Sequence, residues 1–262
     1  MALTEQQRQE AADRLLEAER RREAIEPLTQ LYPGITGADA YDVQLRQMAF
    51  KKREGARVVG KKIGLTSKAL QTQLGISTPD YGHLMDYFTI PDHGELPAAD
   101  LIFPRVEPEI AFVLDKPLRG PGVNVAQVLA ATRYVTPAFE IIDSRIKDWK
   151  IKFEDTVADN GSSARYVLGT EQRHVEELDL RLVGMVFKQN GEDVANAAGA
   201  AALGNPAACV AWLANALADF DIGLEPDEVI LPGALCKSFD AHAGDTFSAS
   251  YDGLGSVNVR FI

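Results

Sequence analysis

Two glutamates, Glu107 and Glu109, stand in the run Pro104-Arg105-Val106-Glu107-Pro108-Glu109-Ile110-Ala111-Phe112-Val113-Leu114. The run reads as a β-strand in which Val106, Ile110 and Phe112 alternate with Arg105, Glu107, Glu109 and Ala111, so both carboxylates point to one face. With apolar neighbours, two such close carboxylates cannot both stay ionised without a compensating cation. Arg105 could neutralise one of them, and a divalent metal could neutralise both. A third acid, Glu140, stands in the apolar run Val135 to Ile142. Three oxygen donors with no nitrogen or sulfur among them suit a hard cation such as Mg²⁺ or Mn²⁺. The same pattern also fits a solvated edge strand carrying two acids, with Pro108 marking the edge.

Other chemistry is thinly spread. Arg57 to Ser67 reads as a short strand, a glycine turn and a helix start capped near Thr66 or Ser67. Its Lys61 and Lys62 must face opposite ways, so one of them could be inside; a lysine in an apolar strand also commonly snorkels to solvent. Ser77 to Gly82 reads as a turn by its Pro, Asp and Gly content, with Asp80 a turn former. Asp155 to Ser163 is small and polar between apolar strands, as a site-bearing loop or an ordinary connection would be. The four histidines (His83, His93, His174, His242) lack the spacing of a zinc site. Phosphate-loop, dinucleotide and nucleophile-elbow patterns are absent.

Hydrophobic periodicity supplies the scaffold around these residues. Thr4 to Ile25 and Ala38 to Arg53 read as helices, the first amphipathic with Thr4 as a possible cap, and together they suggest a helical N-terminal segment over 1–56. Residues 57–262 read mainly as short strands, with a hairpin around Gln189-Asn190-Gly191-Glu192 and a buried helix from Ala207 to Phe220, with Cys209, Trp212 and Leu217 inward. The expected fold is a single β-rich α+β domain behind the helices. A formal net charge of −11 argues against nucleic acid or an anionic membrane as partner. Two cysteines are too few for a disulfide framework. No secretory signal or run approaching membrane-spanning length is read, so a cytoplasmic location is expected.

Five segments together resemble a known family: Val59 to Ser67, Pro79-Asp80-Tyr81-Gly82, Pro104 to Glu109, Phe139 to Arg145, and Asp155 to Asn160. The chain resembles the 2-keto-4-pentenoate hydratase and 4-oxalocrotonate decarboxylase group of the fumarylacetoacetate hydrolase superfamily, over nearly its whole length. The resemblance implies a mixed β-sandwich or roll with helices outside. It implies that Glu107, Glu109 and Glu140 hold Mg²⁺ or Mn²⁺. Lys62, Asp80 and Ser162 would then be catalytic, and Leu65, Asn160 and Arg165 would contact a small anionic 2-oxo or 2-hydroxy acid. It also implies a homo-oligomer, which could associate with the enzyme before or after it in a meta-cleavage pathway of aromatic catabolism.

One such site serves two reactions, hydration of a 2-hydroxy-2,4-dienoate and decarboxylation of 2-oxo-3-hexenedioate, and the metal ligands do not distinguish them. Asp80 and the stretch Ile146 to Ile151 resemble the hydratases. Ser162-Ser163-Ala164-Arg165 resembles the decarboxylases, where an arginine could meet a second substrate carboxylate. Gly161 and Asn205 depart from the usual Ala and His. Hydration is the favoured expectation. A C–C hydrolase would want a histidine base in these motifs, and a non-catalytic scaffold would not need Lys62 or Asp80.

Overall fold

The computed structural model describes residues 2–66 and 78–262. The expected helix start near Thr66 or Ser67, and Ser77 of the expected turn, fall on or against the stretch outside the described residues. Two sheets dominate. The larger has eight strands: β1 (Val58–Gly64), β2 (Asp80–Met85), β3 (Thr89–Ile90), β5 (Pro104–Leu114), β6 (Thr132–Asp143), β7 (Ser163–Leu168), β10 (Val229–Leu231) and β11 (Phe239–Asp240). Their order is β2-β1-β10-β5-β6-β7-β3, with β11 also paired to β5. The smaller sheet contains β4 (Gly94–Leu96), β8 (Gly184–Gln189), β9 (Glu192–Ala198), β12 (Thr246–Tyr251) and β13 (Gly255–Phe261). The architecture is the expected β-rich α+β one.

Alternation along β5 and β6 gives the large sheet two unlike faces. Ile110, Phe112, Phe139 and Ile141 face the smaller sheet, where they meet Phe187, Phe247 and Val257, and the helix Pro206–Leu217. The opposite face carries Ala111, Val113, Ala138 and Tyr166. It also carries the three glutamates, which share their parity.

The N-terminal helices α1 (Glu5–Arg21) and α3 (Gly37–Arg53) flank a single turn, α2 (Leu28–Leu31). Thr4 and Thr36 close capping boxes with Gln7 and Asp39, which explains where the two long helices begin. Ala11, Leu15, Leu28, Ala40 and Val43 pack against Ile146, Val157 and Ala158. Polar ties reinforce this contact. Asp155 accepts from Thr29 N (3.0 Å) and Oγ1 (2.8 Å), and Gln44 Nε2 donates to Tyr81 O (3.0 Å) and Val157 O (2.7 Å).

Three sequence expectations change. Asp80 opens strand β2 instead of sitting in a turn, because it pairs with Gly64 of β1. Gly199–Phe220 is, at 22 residues, long and apolar enough to cross a membrane, contrary to the expectation that no run approaches that length. It is broken at Ala202–Asn205, and the helix beyond the break buries Cys209, Val210, Leu213 and Leu217 in the core. Trp212 is half-buried and packs against that core from its margin.

Candidate metal centre

The register of β5 on β6 sets Glu107 directly opposite Glu140. Opposed residues on antiparallel strands project from the same face, and Glu109, two residues on, projects there too. Carboxylate oxygens of Glu107, Glu109 and Glu140 all lie within 4.8 Å of one another. The strand is central, which corrects the edge-strand alternative. Pro108 is tolerated because its carbonyl accepts from Leu235 N (3.0 Å) in the gap between β10 and β11, where no ladder requires an N–H.

Glu109 and Glu140 are fully buried. Glu109 Oε2 accepts from Gly233 N (2.8 Å), while its Oε1 and both Glu140 oxygens lack hydrogen-bond partners among the described residues. Lys62 Nζ stands 3.3 Å from Glu140 Oε2 but off the line of a hydrogen bond. Burial and then Glu140 push Glu107 up to about 7. Burial and the neighbouring glutamates drive Glu109 well above the carboxylate range, and burial raises Glu140 against the pull of Lys62. Burial works against the Lys62 ammonium, but Glu140, Asp80, Glu107 and Glu109 outweigh it and raise its pKa. One ammonium cannot balance three converging carboxylates. A hard divalent cation fits this all-oxygen set, its charge deficit and its unpartnered oxygens.

Lys62 and Asp80 reach the same face through the pairing of β1 with β2, which aligns Lys62 with Gly82 and Gly64 with Asp80. Thr156 Oγ1 donates to Asp80 Oδ2 (3.1 Å), leaving Oδ1 without a partner among the described residues. A Cβ on Gly64 would stand 2.1 Å from that Oδ1, and one on Gly82 would stand 2.2 Å from Asn160 O, so both glycines keep space that the site uses. Lys61, on the reverse face, donates to Glu228 Oε1 (2.7 Å) and Oε2 (2.8 Å). Both lysines are buried, so neither snorkels.

The loop Asn160-Gly161-Ser162 has left-handed φ at all three residues (56°, 61° and 54°) and lies against the Lys62 stem. Asn160 clamps it to β2, accepting from His83 N (2.7 Å) and donating to His83 O (2.9 Å). Its amide is thereby committed to backbone. Ser162 Oγ donates to Asp159 Oδ2 (3.1 Å), and Asp159 is held by the buried guanidinium of Arg145. Leu65 comes directly after β1 with φ 58° and is half-buried.

A β-bulge between Ile141 and Ile142 opposes Ser163 to Ile142 and Arg165 to Ile141. Ser163 therefore shares the face of Glu140, whose carboxyl it helps to draw down. Arg165 lies on the reverse face. Its Nη1 donates to Ala164 O (2.7 Å), its guanidinium lies over the Phe88 ring, and it lines a cleft with Glu19, Asp100, Asp143 and Arg145. This places Arg165 apart from the glutamates, where the resemblance implied a contact with substrate. Arg105 likewise pairs with Asp240 (2.8 Å) and stacks on Trp149. Thr156, Ser163 and Gly233 are contributors that sequence reasoning missed; only their place beside recognised motifs could have flagged them.

The fold and its three converging glutamates fit an enzyme that works with a divalent metal, and comparison with known proteins fixes the family. Residues 81–262 match the fumarylacetoacetate (FAA) hydrolase C-terminal model, and the chain belongs to that family. It is 46% identical over 250 residues to a 2-hydroxyhexa-2,4-dienoate hydratase of Comamonas testosteroni, covering 95% of each chain. It is 46% identical over 238 residues to a 4-oxalocrotonate decarboxylase of Pseudomonas sp. strain CF600, covering 91% of this chain and 90% of that one. A solved 4-oxalocrotonate decarboxylase from Pseudomonas putida G7, complexed with magnesium and adipate, superposes with a TM-score of 0.97 at 42% identity over 99% of both chains.

Proposed function

We propose that this protein is a metal-dependent hydratase that converts a 2-hydroxy-2,4-dienoate into a 4-hydroxy-2-oxo acid in meta-cleavage catabolism. The observation that carries the reading is Asp80, whose Oδ1, unpartnered among the described residues, shares a face with Lys62 and the three glutamates while Arg165 points away. A divalent ion held by Glu107, Glu109 and Glu140, Mg²⁺ or Mn²⁺ by its ligand chemistry, supplies Lewis acidity toward the oxygens of an acid substrate.

The chain's own residues do the rest. Lys62, kept protonated by the surrounding carboxylates, complements negative charge developing on the substrate. Ketonisation removes the proton from the 2-hydroxyl and places one at C5, leaving a C3–C4 double bond conjugated to the 2-oxo group. Water then adds, oxygen to C4 and proton to C3. Asp80 Oδ1 is the carboxylate available to carry these protons, and Thr156 fixes its orientation. The loop through Gly161 packs against the Lys62 stem and holds it in place.

Decarboxylation of 2-oxo-3-hexenedioate is the second reading, favoured by the close match to the solved decarboxylase. Either reading makes the protein a lyase. A homo-oligomer belongs to the same proposal, supported by family membership alone. A cytoplasmic setting is supported by the two free cysteines, Cys209 and Cys236. Supplying purified protein and Mg²⁺ with each substrate and analysing products tests the assignment. A 4-hydroxy-2-oxo acid from the dienoate supports it, and CO₂ release from the diacid without dienoate hydration overturns it.

A further inference from the structure

The ion pair of Arg145 with Asp159 is buried, and no step of the reaction uses it. Its guanidinium reaches both ends of the loop Asn160-Gly161-Ser162. Nη2 donates to Asp159 O at the start of the loop, and Nη1 donates to Ser163 O (3.2 Å) at its end. That bridge holds a backbone in which Asn160 and Ser162, both bearing a Cβ, keep left-handed φ. Nε donates to Asp159 Oδ1. The other carboxylate oxygen, Oδ2, accepts from Arg145 N (3.1 Å), Ser144 Oγ (3.2 Å) and Ser162 Oγ (3.1 Å). Every donor to this carboxylate thus comes from a buried residue.

The direction of one proton follows from this arrangement. Burial raises Asp159 to about 6 against the pull of Arg145, so at pH 7 it is ionised and can only accept. Ser162 has a single hydroxyl proton, and the bond to Oδ2 commits it. We propose that Asp159 is a positioning residue that makes Ser162 a hydrogen-bond acceptor, its lone pairs offered to an O–H of the reacting molecules. This role rests on the hydratase reading, in which Ser162 is one of the groups that the family resemblance makes catalytic. Both the 2-hydroxy-2,4-dienoate and the water that adds to it bring such an O–H. Lys62, whose stem touches the neighbouring Gly161, has the opposite part, because an ammonium can only donate. Asp159→Asn should reverse the serine. The amide keeps its oxygen toward Arg145 Nε and turns Nδ2 toward Ser162 Oγ, which sends the serine proton into the site.

Two measurements test this on the full chain. In the first, with Mg²⁺ and a 2-hydroxy-2,4-dienoate, Asp159→Asn and Ser162→Ala should each lower kcat per folded molecule by about 10–100-fold. The double variant should be no slower than Ser162→Ala alone, within about twofold, because Asp159 acts through Ser162. Losses that multiply would assign Asp159 to the fold alone and overturn the role. The second is neutron diffraction from deuterium-exchanged crystals, which locates the Ser162 deuteron and needs neither a variant nor activity. A deuteron between Ser162 Oγ and Asp159 Oδ2 is expected, and one directed away from Asp159 overturns the role. If Asp159→Asn does not fold, the deuteron decides alone. An unaltered chain that hydrates no dienoate overturns the hydratase reading instead, and the deuteron still decides how Asp159 sets Ser162.

Discussion

Lys62 Nζ lies 3.3 Å from Glu140 Oε2, a buried cation set against three converging carboxylates of which Glu109 and Glu140 are buried. Its neighbour Lys61 pairs with Glu228 on the reverse face. The two lysines therefore predict opposite kinds of defect. Lys62→Ala and Lys62→Arg should each lower kcat by about 10²–10³-fold with little change in thermal midpoint. Lys61→Ala should leave kcat per folded molecule near wild type but destabilise the fold by about 3–5 kcal/mol, because Glu228 loses its partner. Steady-state kinetics with denaturant unfolding separates the two, and a crippled kcat in Lys61→Ala would show the strand facing the other way.

Asp80 and Thr156 form a second pair. Asp80→Asn should depress hydration by about 10²–10⁴-fold, as expected for a lost acid–base group. Thr156→Val removes only the hydrogen bond to Oδ2, so it should lower kcat more modestly and shift the pH profile of kcat without changing metal affinity. An unchanged pH profile would mean that Thr156 does not orient the acid.

Arg165 carries a prediction about specificity. On the reverse face it cannot clamp a distal carboxylate at the glutamates of the same chain. Arg165→Ala should therefore leave KM for a monocarboxylate and a dicarboxylate substrate unchanged within about twofold. A selective rise in KM for the dicarboxylate would restore the decarboxylase reading.

The metal-free protein should have a characteristic pH response. Glu107 is raised from 4.5 to about 7, and Glu109 and Glu140 are raised in the same direction. A group whose folded-state pKa lies above its unfolded value adds stability below the unfolded value and loses it as pH rises through the folded one. Stability of the metal-free chain should thus fall between pH 4.5 and about 7, and a divalent ion should restore it most strongly at the upper end. Thermal midpoints across that range, with and without Mg²⁺, check this; a cation effect independent of pH would contradict it.

The glutamates are legible in the sequence because strand alternation is fixed by backbone geometry: Glu107 and Glu109 must share a face wherever the strand lies. The opposition of Glu107 to Glu140 is not legible, since register between strands is a tertiary property. The helix starts at Thr4 and Thr36 both come from local capping chemistry, yet only Thr4 stands out as a cap in the sequence. Arg165 lies on the reverse face for a specific reason. One extra residue at the Ala164 bulge inverts the face of every later residue in the strand, and a bulge without glycine leaves no mark in the sequence. Asp80 reads as a turn former because Pro79 and Gly82 flank it. Pairing with β1 overrides that local preference.

Everything proposed for the reaction rests on Glu107, Glu109 and Glu140 holding one divalent ion between them. Calorimetric titration of Mg²⁺ and Mn²⁺ into chelator-stripped protein measures this without recourse to activity. One site per chain is expected, with proton release on binding near pH 7, and an affinity reduced about 100-fold or more in Glu109→Gln while the fold is retained. Wild-type affinity in Glu109→Gln, or no binding in the unaltered chain, would contradict it.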